Sequence, residues 1–358
     1  MAPKSFLLAC LLAFTLQFFF SPPVSSSASL LSTSKESSSM KDLIKLGEGC
    51  VSHPEDVSVV VRKGALYTAT NDGWVKYFIL HNETLVNWKH IDSQSLLGLT
   101  TTKEGDVVIC DSKKGLFKVT EEGVKVLDPD VRFANDVIDA SDGTLYFTVS
   151  STKYTPADFY KDMAEGNPYG QLLKYDPKSN QTTVLQEGFY FANGVALSKD
   201  EDFVVVCESW KFRCRRYWLK GDRNGTLDTF AENLPGGPDN INLAPDGSFW
   251  IALIKMNQTG VKAIQNCREK WELLEAYPGL ISLLLPMGSD AGARVVKVDG
   301  IDGKIIRDFN DPNATYLSFV TSAVEYNDNL FLASLQSNFI GVLPLHPLNT
   351  PKPLLATI

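Results

Sequence analysis

Short apolar strands recur along the chain, each in the same relation to a polar residue. In every copy a polar residue opens an apolar strand, a turn follows, and a second apolar strand continues the unit. Self-similarity at a roughly constant spacing is typical of repeat architectures, in which each copy forms one structural unit. Six copies are visible, opening at Glu55, near Gly98, and at Asn135, Asn193, Asp239 and Thr321.

The spacing of these units predicts the architecture. Successive openings are 43, 37, 58, 46 and 82 residues apart, which brackets the roughly 40–50 residues of a four-stranded propeller blade. Third strands are visible at 115–119, 171–175 and 294–298. The pattern predicts an all-β fold, a six-bladed β-propeller of four-stranded antiparallel blades. A two-sheet sandwich is the alternative, but it does not explain six copies with the same polar opening.

Two insertions interrupt the repeat. In 263–277 the residues Ile264, Trp271, Leu274 and Ala276 are compatible with a helical stripe, and the apolar stretch 280–287 follows. Residues 153–167 form the second insertion, and we expect both to be short helical segments over the channel mouth. A propeller must close its ring to protect its sheet edges, so a strand from 42–47 is expected to join the last blade around 339–344.

The N-terminus predicts entry into the secretory pathway. Lys4 precedes sixteen uncharged, mostly apolar residues, and small residues around Ala28 offer a cleavage site. We expect a signal peptide over 1–28, a flexible leader over 29–41 and the propeller domain over 42–358. Because the apolar run is short for a spanning helix, no membrane association is expected after cleavage; an uncleaved signal anchor is the alternative.

Further sequence features agree with a secreted or vacuolar glycoprotein, with the ER lumen as an alternative location. Cys207 and Cys214 flank a short turn and are compatible either with one disulfide or with two buried thiols. Five Asn-X-Thr sequons predict N-glycosylation, and they begin at Asn82, Asn180, Asn224, Asn257 and Asn313.

Composition narrows the function classes. Hydrophobic residues make up 44% of the 358 residues and charged residues 21%, so wholesale disorder and a many-span membrane protein are excluded. The net charge is -8 and the pI about 5.2, which argues against nucleic-acid binding. The expected partner is a small-molecule substrate.

The blade openings supply the candidate chemistry. The first strand of each propeller blade lines the central channel, so distant openings converge near the axis. Hard oxygen donors of this kind suit Ca²⁺ better than zinc or copper. The pairs Asp142-Gly143 and Asp246-Gly247 are predicted to be ordinary turns. The predicted metal ligands are Glu55, Asn135, Asn193, Asp239 and Asn240.

At these positions the sequence resembles plant strictosidine synthase-like proteins. The resemblance covers essentially the whole chain after the leader. It implies a six-bladed propeller, related to paraoxonases, gluconolactonases and the adipocyte plasma membrane-associated protein, many of which hold a divalent cation in the channel. It also implies that Asn135 ligates the ion or orients substrate. The motifs that carry it are 132–136, 191–198, 237–241, 318–322 and 334–337.

Two departures from the wider family bear on activity. Strictosidine synthase uses a glutamate at the opening of its last blade, and this chain has Thr321 there. A hydroxyl cannot perform that proton transfer at neutral pH. Paraoxonase-like enzymes have a histidine in the second opening, where this chain has Leu97 and Gly98.

The favoured function is therefore metal-assisted hydrolysis of a small ester, lactone or phosphoester, with Glu55 or Asp239 as the catalytic base. Asn135, Thr321 and His53 are candidate substrate contacts, although a lone histidine is often a surface residue. A structural ion pair is predicted for Glu208. Condensation of an amine with an aldehyde, as in strictosidine synthase, is the second hypothesis. A non-catalytic, metabolite-binding propeller is the third.

Overall fold

The computed structural model describes residues 37–286 and 290–346. The predicted signal peptide and residues 29–36 of the predicted leader lie outside the described residues. Within them the chain forms twenty-four strands. The strands of the first half are β1 (Ile44–Leu46), β2 (Val57–Val60), β3 (Ala65–Ala69), β4 (Trp74–Ile79), β5 (Thr84–His90), β6 (Leu96–Thr101), β7 (Val107–Asp111), β8 (Gly115–Val119), β9 (Val124–Asp128), β10 (Ala134–Asp139), β11 (Leu145–Val149) and β12 (Gly170–Asp176). Those of the second half are β13 (Gln181–Phe189), β14 (Ala192–Leu197), β15 (Phe203–Glu208), β16 (Arg213–Trp218), β17 (Leu227–Ala231), β18 (Gly237–Leu243), β19 (Phe249–Ile254), β20 (Ala293–Val298), β21 (Ile305–Asp311), β22 (Val320–Tyr326), β23 (Asn329–Ser334) and β24 (Ile340–Pro344).

The strands pair as six separate four-stranded antiparallel sheets. Five of them are sequential meanders, β2–β5, β6–β9, β10–β13, β14–β17 and β18–β21, and the sixth has the order β1-β24-β23-β22. The first strands of these blades are β2, β6, β10, β14, β18 and β22; five of them contain one of the six openings, and Glu55 lies two residues before β2. The predicted six-bladed propeller is therefore confirmed, and the two-sheet sandwich is excluded.

The N-terminal strand closes the ring. Strand β1 pairs with β24 in antiparallel register, with Ile44 opposite Val342 and Leu46 opposite Ile340, as predicted. The chain is already anchored before this strand. The Ser38 amide donates to the Asp308 carbonyl at 2.8 Å, and Met40 is fully buried. Part of the predicted flexible leader therefore packs on the last two blades.

Burial follows the position of a strand within its blade. Every residue of β15 and of β19 is buried, because both faces of a central strand are covered by neighbouring blades. Outer strands such as β5 and β9 have no buried residue. Between the last two blades Trp250 stacks on Phe309 with ring centroids 5.9 Å apart, beside Met40. The apolar core therefore lies between the blades.

Both predicted insertions are helical. Residues 153–167 contain a 3₁₀ turn and helix α1 (Phe159–Glu165). The second insertion contains α2 (Gln258–Asn266), α3 (Lys270–Ala276) and α4 (Leu280–Leu284), so the predicted helical stripe is divided between two helices. Ile264 is buried, but Trp271 is 42% exposed and does not belong to the buried face. No helix in the described part of the chain is long and apolar enough to cross a membrane.

Local features match the remaining expectations about turns and thiols. Gly143 and Gly247 have φ of 84° and 88°, so both Asp-Gly pairs supply the left-handed residue of a tight turn. Cys207 and Cys214 face each other across β15 and β16 and form a disulfide. The structure thus selects the disulfide over the two free thiols.

The buried leader residue gives a first prediction. Met40→Ala should lower the free energy of unfolding by about 3 kcal/mol, because it removes a fully buried side chain from the core between the last two blades. Chemical denaturation monitored by tryptophan fluorescence would measure the change. Ser39→Ala, at an exposed neighbour, should leave stability within about 0.5 kcal/mol. Equal midpoints for the two variants would show that this segment does not contribute to the fold.

Candidate metal centre

Five of the six blade openings are β-bulges. In β10, β14 and β18 three residue steps oppose two on the neighbouring strand, and the extra residue falls at Asn135-Asp136, Asn193-Gly194 and Asp239-Asn240. Strands β6 and β22 also carry an extra residue at their openings, whereas β2 pairs with β3 in continuous register and Glu55 lies just before it. A bulge bends its strand and redirects side chains. The repeated bulge places the polar opening residues where neighbouring blades meet.

Glycines allow the blades to approach closely at the bulges. A Cβ atom on Gly98 would lie 2.4 Å from Asp136 Oδ1, and one on Gly194 would lie 2.6 Å from the Cα atom of Asn240. Neither space accommodates a side chain. Glycine at these two positions therefore lets the first strands pack against each other around the channel.

Residues that are far apart in sequence meet at this point. The Asn240 side-chain amide donates from Nδ2 to Glu55 Oε1 at 2.9 Å, across 185 positions of the chain. The charge of Asp239 also acts on Glu55, and Asn193 hydrogen-bonds the Asp239 carboxyl group. Asn135 is buried on the bulge next to Asp136, whose charge acts on Glu55. The structure thus buries all five predicted ligands at the blade openings and joins four of them by direct interactions.

Four of the five predicted ligands have an oxygen without a hydrogen-bond partner. The atoms are buried away from bulk solvent, and a buried group left without a partner ordinarily costs about 1–3 kcal/mol. An amide or carboxylate oxygen left in this way is a ligand that a hard divalent cation accepts. The side chains present therefore fit a Ca²⁺-type ion. The four atoms are Glu55 Oε2, Asn135 Oδ1, Asn193 Oδ1 and Asn240 Oδ1.

The electrostatics of the protein alone are unfavourable for the carboxylates. Burial, reinforced by the charges of Asp239, Asp56 and Asp136, raises the pKa of Glu55 well above its usual value. Burial raises the pKa of Asp239 to about 8, although the hydrogen bond from Asn193 opposes the shift. Positive charge in the channel would favour the ionised forms. Among the described residues no three His, Cys, Asp or Glu side chains are grouped so that they could hold a metal ion. The predicted ligand set therefore depends on the amide oxygens of its asparagines.

Two further buried carboxylates, which the pattern of openings does not predict, lie next to predicted ligands. Asp56 accepts from its own blade at Val57 N and from the next blade at Leu99 N, at 2.8 and 2.9 Å. Asp136 accepts in the same way from Val137 N and Val195 N, both at 2.8 Å. These carboxylates link neighbouring blades. The signal was an aspartate directly after the opening residue in two of the six units.

A helical roof covers part of the channel mouth. Phe133 and Phe191, which lie two residues before Asn135 and Asn193, pack edge-to-face at 5.4 Å and belong to one apolar cluster with residues of α1 to α4. The Trp210 indole donates to Asp162 Oδ1 on α1 at 2.9 Å. Gln265 on α2 donates to the Met163 carbonyl. The two insertions therefore pack as one apolar roof over the polar channel.

The remaining candidates occupy different environments. Thr321 is fully buried, and its hydroxyl donates to the Glu55 carbonyl at 2.5 Å, so it braces the backbone of a predicted ligand. His53 is exposed, and its Nδ1 lies 3.1 Å from the Ser52 hydroxyl. Its left-handed backbone, with φ of 48°, matches that of Phe133 and Phe191. Glu208 pairs with Arg213, in agreement with the predicted ion pair.

The five sequons lie at or near the surface. Four of their asparagines are exposed, and Asn257 is half-buried. Asn257 also caps α2 by accepting from Gly260 N at 2.7 Å. Glycosylation itself stays a prediction. The exposed asparagines are Asn82, Asn180, Asn224 and Asn313.

Comparison with known proteins agrees with this architecture. A sequence profile for the family described as Strictosidine synthase matches residues 134–222. Protein STRICTOSIDINE SYNTHASE-LIKE 4 of Arabidopsis thaliana is 33% identical over 318 residues, which cover 84% of this chain and 81% of that protein. The adipocyte plasma membrane-associated protein of Gallus gallus is 34% identical over 271 residues, covering 70% of this chain and 63% of that protein.

Solved structures resemble the fold at low sequence identity. A gluconolactonase from Xanthomonas campestris superposes with a TM-score of 0.60 and 14% identity, covering 85% of this chain and 89% of that one. Regucalcin from Agrobacterium tumefaciens, described as a calcium-binding protein, has a TM-score of 0.56 and 14% identity over 84% and 92% of the two chains. At this identity the similarity concerns the fold.

The pKa of Asp239 generates a prediction about stability. In protein stripped of divalent cations, folding raises this pKa from 3.8 to about 8, so the folded state keeps a proton that the unfolded state has lost. That contribution is present at low pH and disappears as the pH rises through the folded pKa. We expect the melting temperature of the chelated protein to fall between about pH 5 and pH 8, measured by differential scanning calorimetry.

Asp239→Asn is the matched control, because it keeps the shape of the side chain but cannot ionise. Its melting temperature in chelator should depend less on pH over the same range, and Ca²⁺ at pH 8 should raise the melting temperature of the wild type more than that of the variant. Identical pH profiles for the two proteins would contradict the assignment of Asp239 as an uncompensated buried carboxyl group.

Proposed function

The chain belongs to the strictosidine synthase-like family, and we propose that it is a divalent-cation-dependent hydrolase of small esters, lactones or phosphoesters. One observation carries the proposal: four buried oxygens without hydrogen-bond partners, one from Glu55 and three from asparagines, lie at the blade openings together with the buried carboxyl group of Asp239. The most suitable cation is Ca²⁺, because carboxylate and amide oxygens are its usual protein ligands.

The proposed chemistry divides between the cation and the chain. A bound divalent cation would polarise a carbonyl or phosphoryl oxygen and lower the pKa of water. Glu55, Asn135, Asn193, Asp239 and Asn240 would hold it. Glu55 or Asp239 would accept the proton released by water, since both carboxyl groups lie in the channel and can act as general bases when ionised.

The surroundings support a small substrate with an apolar part. The roof presents Phe133, Phe191 and Trp210 above the polar channel, and an apolar wall with few polar groups is typical of a small-molecule site. Asn135 would orient the reacting group, and exposed His53 would contact substrate near the mouth. Thr321 supports the site through Glu55, because its hydroxyl already donates to the Glu55 carbonyl.

The fold neighbours are consistent with this choice. One is described as a gluconolactonase and another as a calcium-binding protein. Condensation of the strictosidine synthase type is less favoured, because Thr321 stands where that reaction needs a glutamate. We also propose a secretory route, with a vacuolar or extracellular location, supported by the exposed asparagines of four sequons.

Turnover assays test the proposed activity. Purified protein with Ca²⁺ should hydrolyse at least one member of a panel of aryl esters, lactones and phosphoesters, and chelation should abolish the rate. Asn240→Ala should lower kcat/KM by about 100-fold, because it removes one oxygen donor and releases Glu55. Metal content measured by elemental analysis should fall in parallel.

Asn242→Ala serves as the control on the same strand. Asn242 lies two residues along β18 from Asn240 and donates to the Ser322 hydroxyl at 3.1 Å, so its removal should leave metal content unchanged. If the wild type binds Ca²⁺ but hydrolyses nothing in the panel, the metabolite-binding hypothesis replaces the hydrolase. Condensed product from tryptamine and secologanin, detected by mass spectrometry, would favour the condensation hypothesis instead.

A further inference from the structure

The asparagine ligands pose a problem of orientation. An amide side chain has an oxygen on one branch and an NH₂ group on the other, and only the oxygen can ligate a cation. The two branches are nearly equal in shape, so packing alone does not choose between them. At Asn240 the choice is made by Glu55, whose Oε1 accepts the Nδ2 proton and leaves Oδ1 free.

At Asn193 the amide nitrogen has two acceptors, the Asp239 carboxyl group and the hydroxyl of Ser209, and Ser209 is the one that is not itself a predicted ligand. Ser209 follows β15 directly and is fully buried. Its hydroxyl donates its single proton to the Pro238 carbonyl at 2.7 Å. The hydroxyl oxygen can then only accept, and Asn193 Nδ2 donates to it at 3.2 Å. Reversing the amide would place Oδ1 of Asn193 against a lone pair of Ser209.

We propose that Ser209 is a positioning residue for the channel cation. By accepting from Nδ2 it helps to fix which branch of Asn193 carries Oδ1, the oxygen that lacks a hydrogen-bond partner among the described residues. The same hydroxyl also holds the carbonyl of Pro238, the residue before Asp239. The inference rests on the proposed cation site.

Ser150 provides a matched control. It follows β11 as Ser209 follows β15, is equally buried, and donates across blades to the Ala192 carbonyl at 2.9 Å. Within the described residues, no hydrogen bond joins Ser150 to the side chain of a predicted ligand. Ser150→Ala therefore removes a similar interblade hydrogen bond without changing the orientation of a ligand amide.

Calcium titration of the purified full-length protein separates the two roles. Isothermal titration calorimetry at fixed pH should show that Ser209→Ala raises the Kd for Ca²⁺ by about 10-fold, whereas Ser150→Ala should change it less than twofold. Melting temperatures in chelator report the structural cost of each variant. If the alanine variant does not fold, Ser209→Cys provides the test instead. Cysteine keeps a side chain of similar size but is a weaker acceptor, so this variant should also bind Ca²⁺ more weakly.

A second pair of variants tests the route of the effect. Asn193→Asp presents oxygen on both branches, so orientation no longer matters. In that background Ser209→Ala should cause less than a twofold further loss of Ca²⁺ affinity. A tenfold loss there, or equal losses for Ser209→Ala and Ser150→Ala in the wild-type background, would overturn the positioning role while leaving the cation site intact. Absence of Ca²⁺ binding by the wild type would instead refute the proposed site, and the inference with it.

Discussion

Burial of oxygen without a matching donor is the constraint on which the centre of this molecule depends. The propeller brings Glu55, Asn193, Asp239 and Asn240 together from blades that are far apart in sequence, and it buries them away from bulk solvent. Hydrogen bonds within the protein satisfy only some of these atoms, as between Asn240 and Glu55. The remaining oxygens and the raised carboxyl pKa values are unfavourable without a positive charge. A divalent cation would offset both costs, and it would supply the hydrolytic chemistry proposed above.

The rest of the architecture serves this arrangement. Bulges in five of the six first strands redirect the residues at their openings, and glycines at 98 and 194 let the strands approach. Ring closure by β1 fixes the circumference, and the anchored segment around Met40 supports it. The helical roof covers the polar centre with an apolar surface. A closed ring can therefore hold distant residues at one point with little freedom, which is the preorganisation that a binding or catalytic site needs.

The sequence predicted the architecture well, because its signals are local and repeated. Six polar openings followed by paired apolar strands specify blades, and the closing strand follows from the need to protect sheet edges. Other features depend on contacts that no local pattern reports. The blade-linking Asp56 and Asp136 accept backbone protons across blades, and Ser209 orients an amide that is sixteen residues away. The sequence predicts one helical stripe that includes Trp271, because no local signal shows that two helices divide the insertion. Buried Met40 was assigned to a leader because one apolar residue among polar ones carries no periodicity.

A crystal structure of the protein soaked with Ca²⁺, or with a lanthanide that gives an anomalous signal, tests the central claim most directly. The account predicts one strong peak in the channel, with oxygens of Glu55, Asn193, Asp239 and Asn240 at about 2.3–2.6 Å. A channel without a cation at millimolar concentrations, with the same oxygens bonded to water or to protein donors, would contradict it.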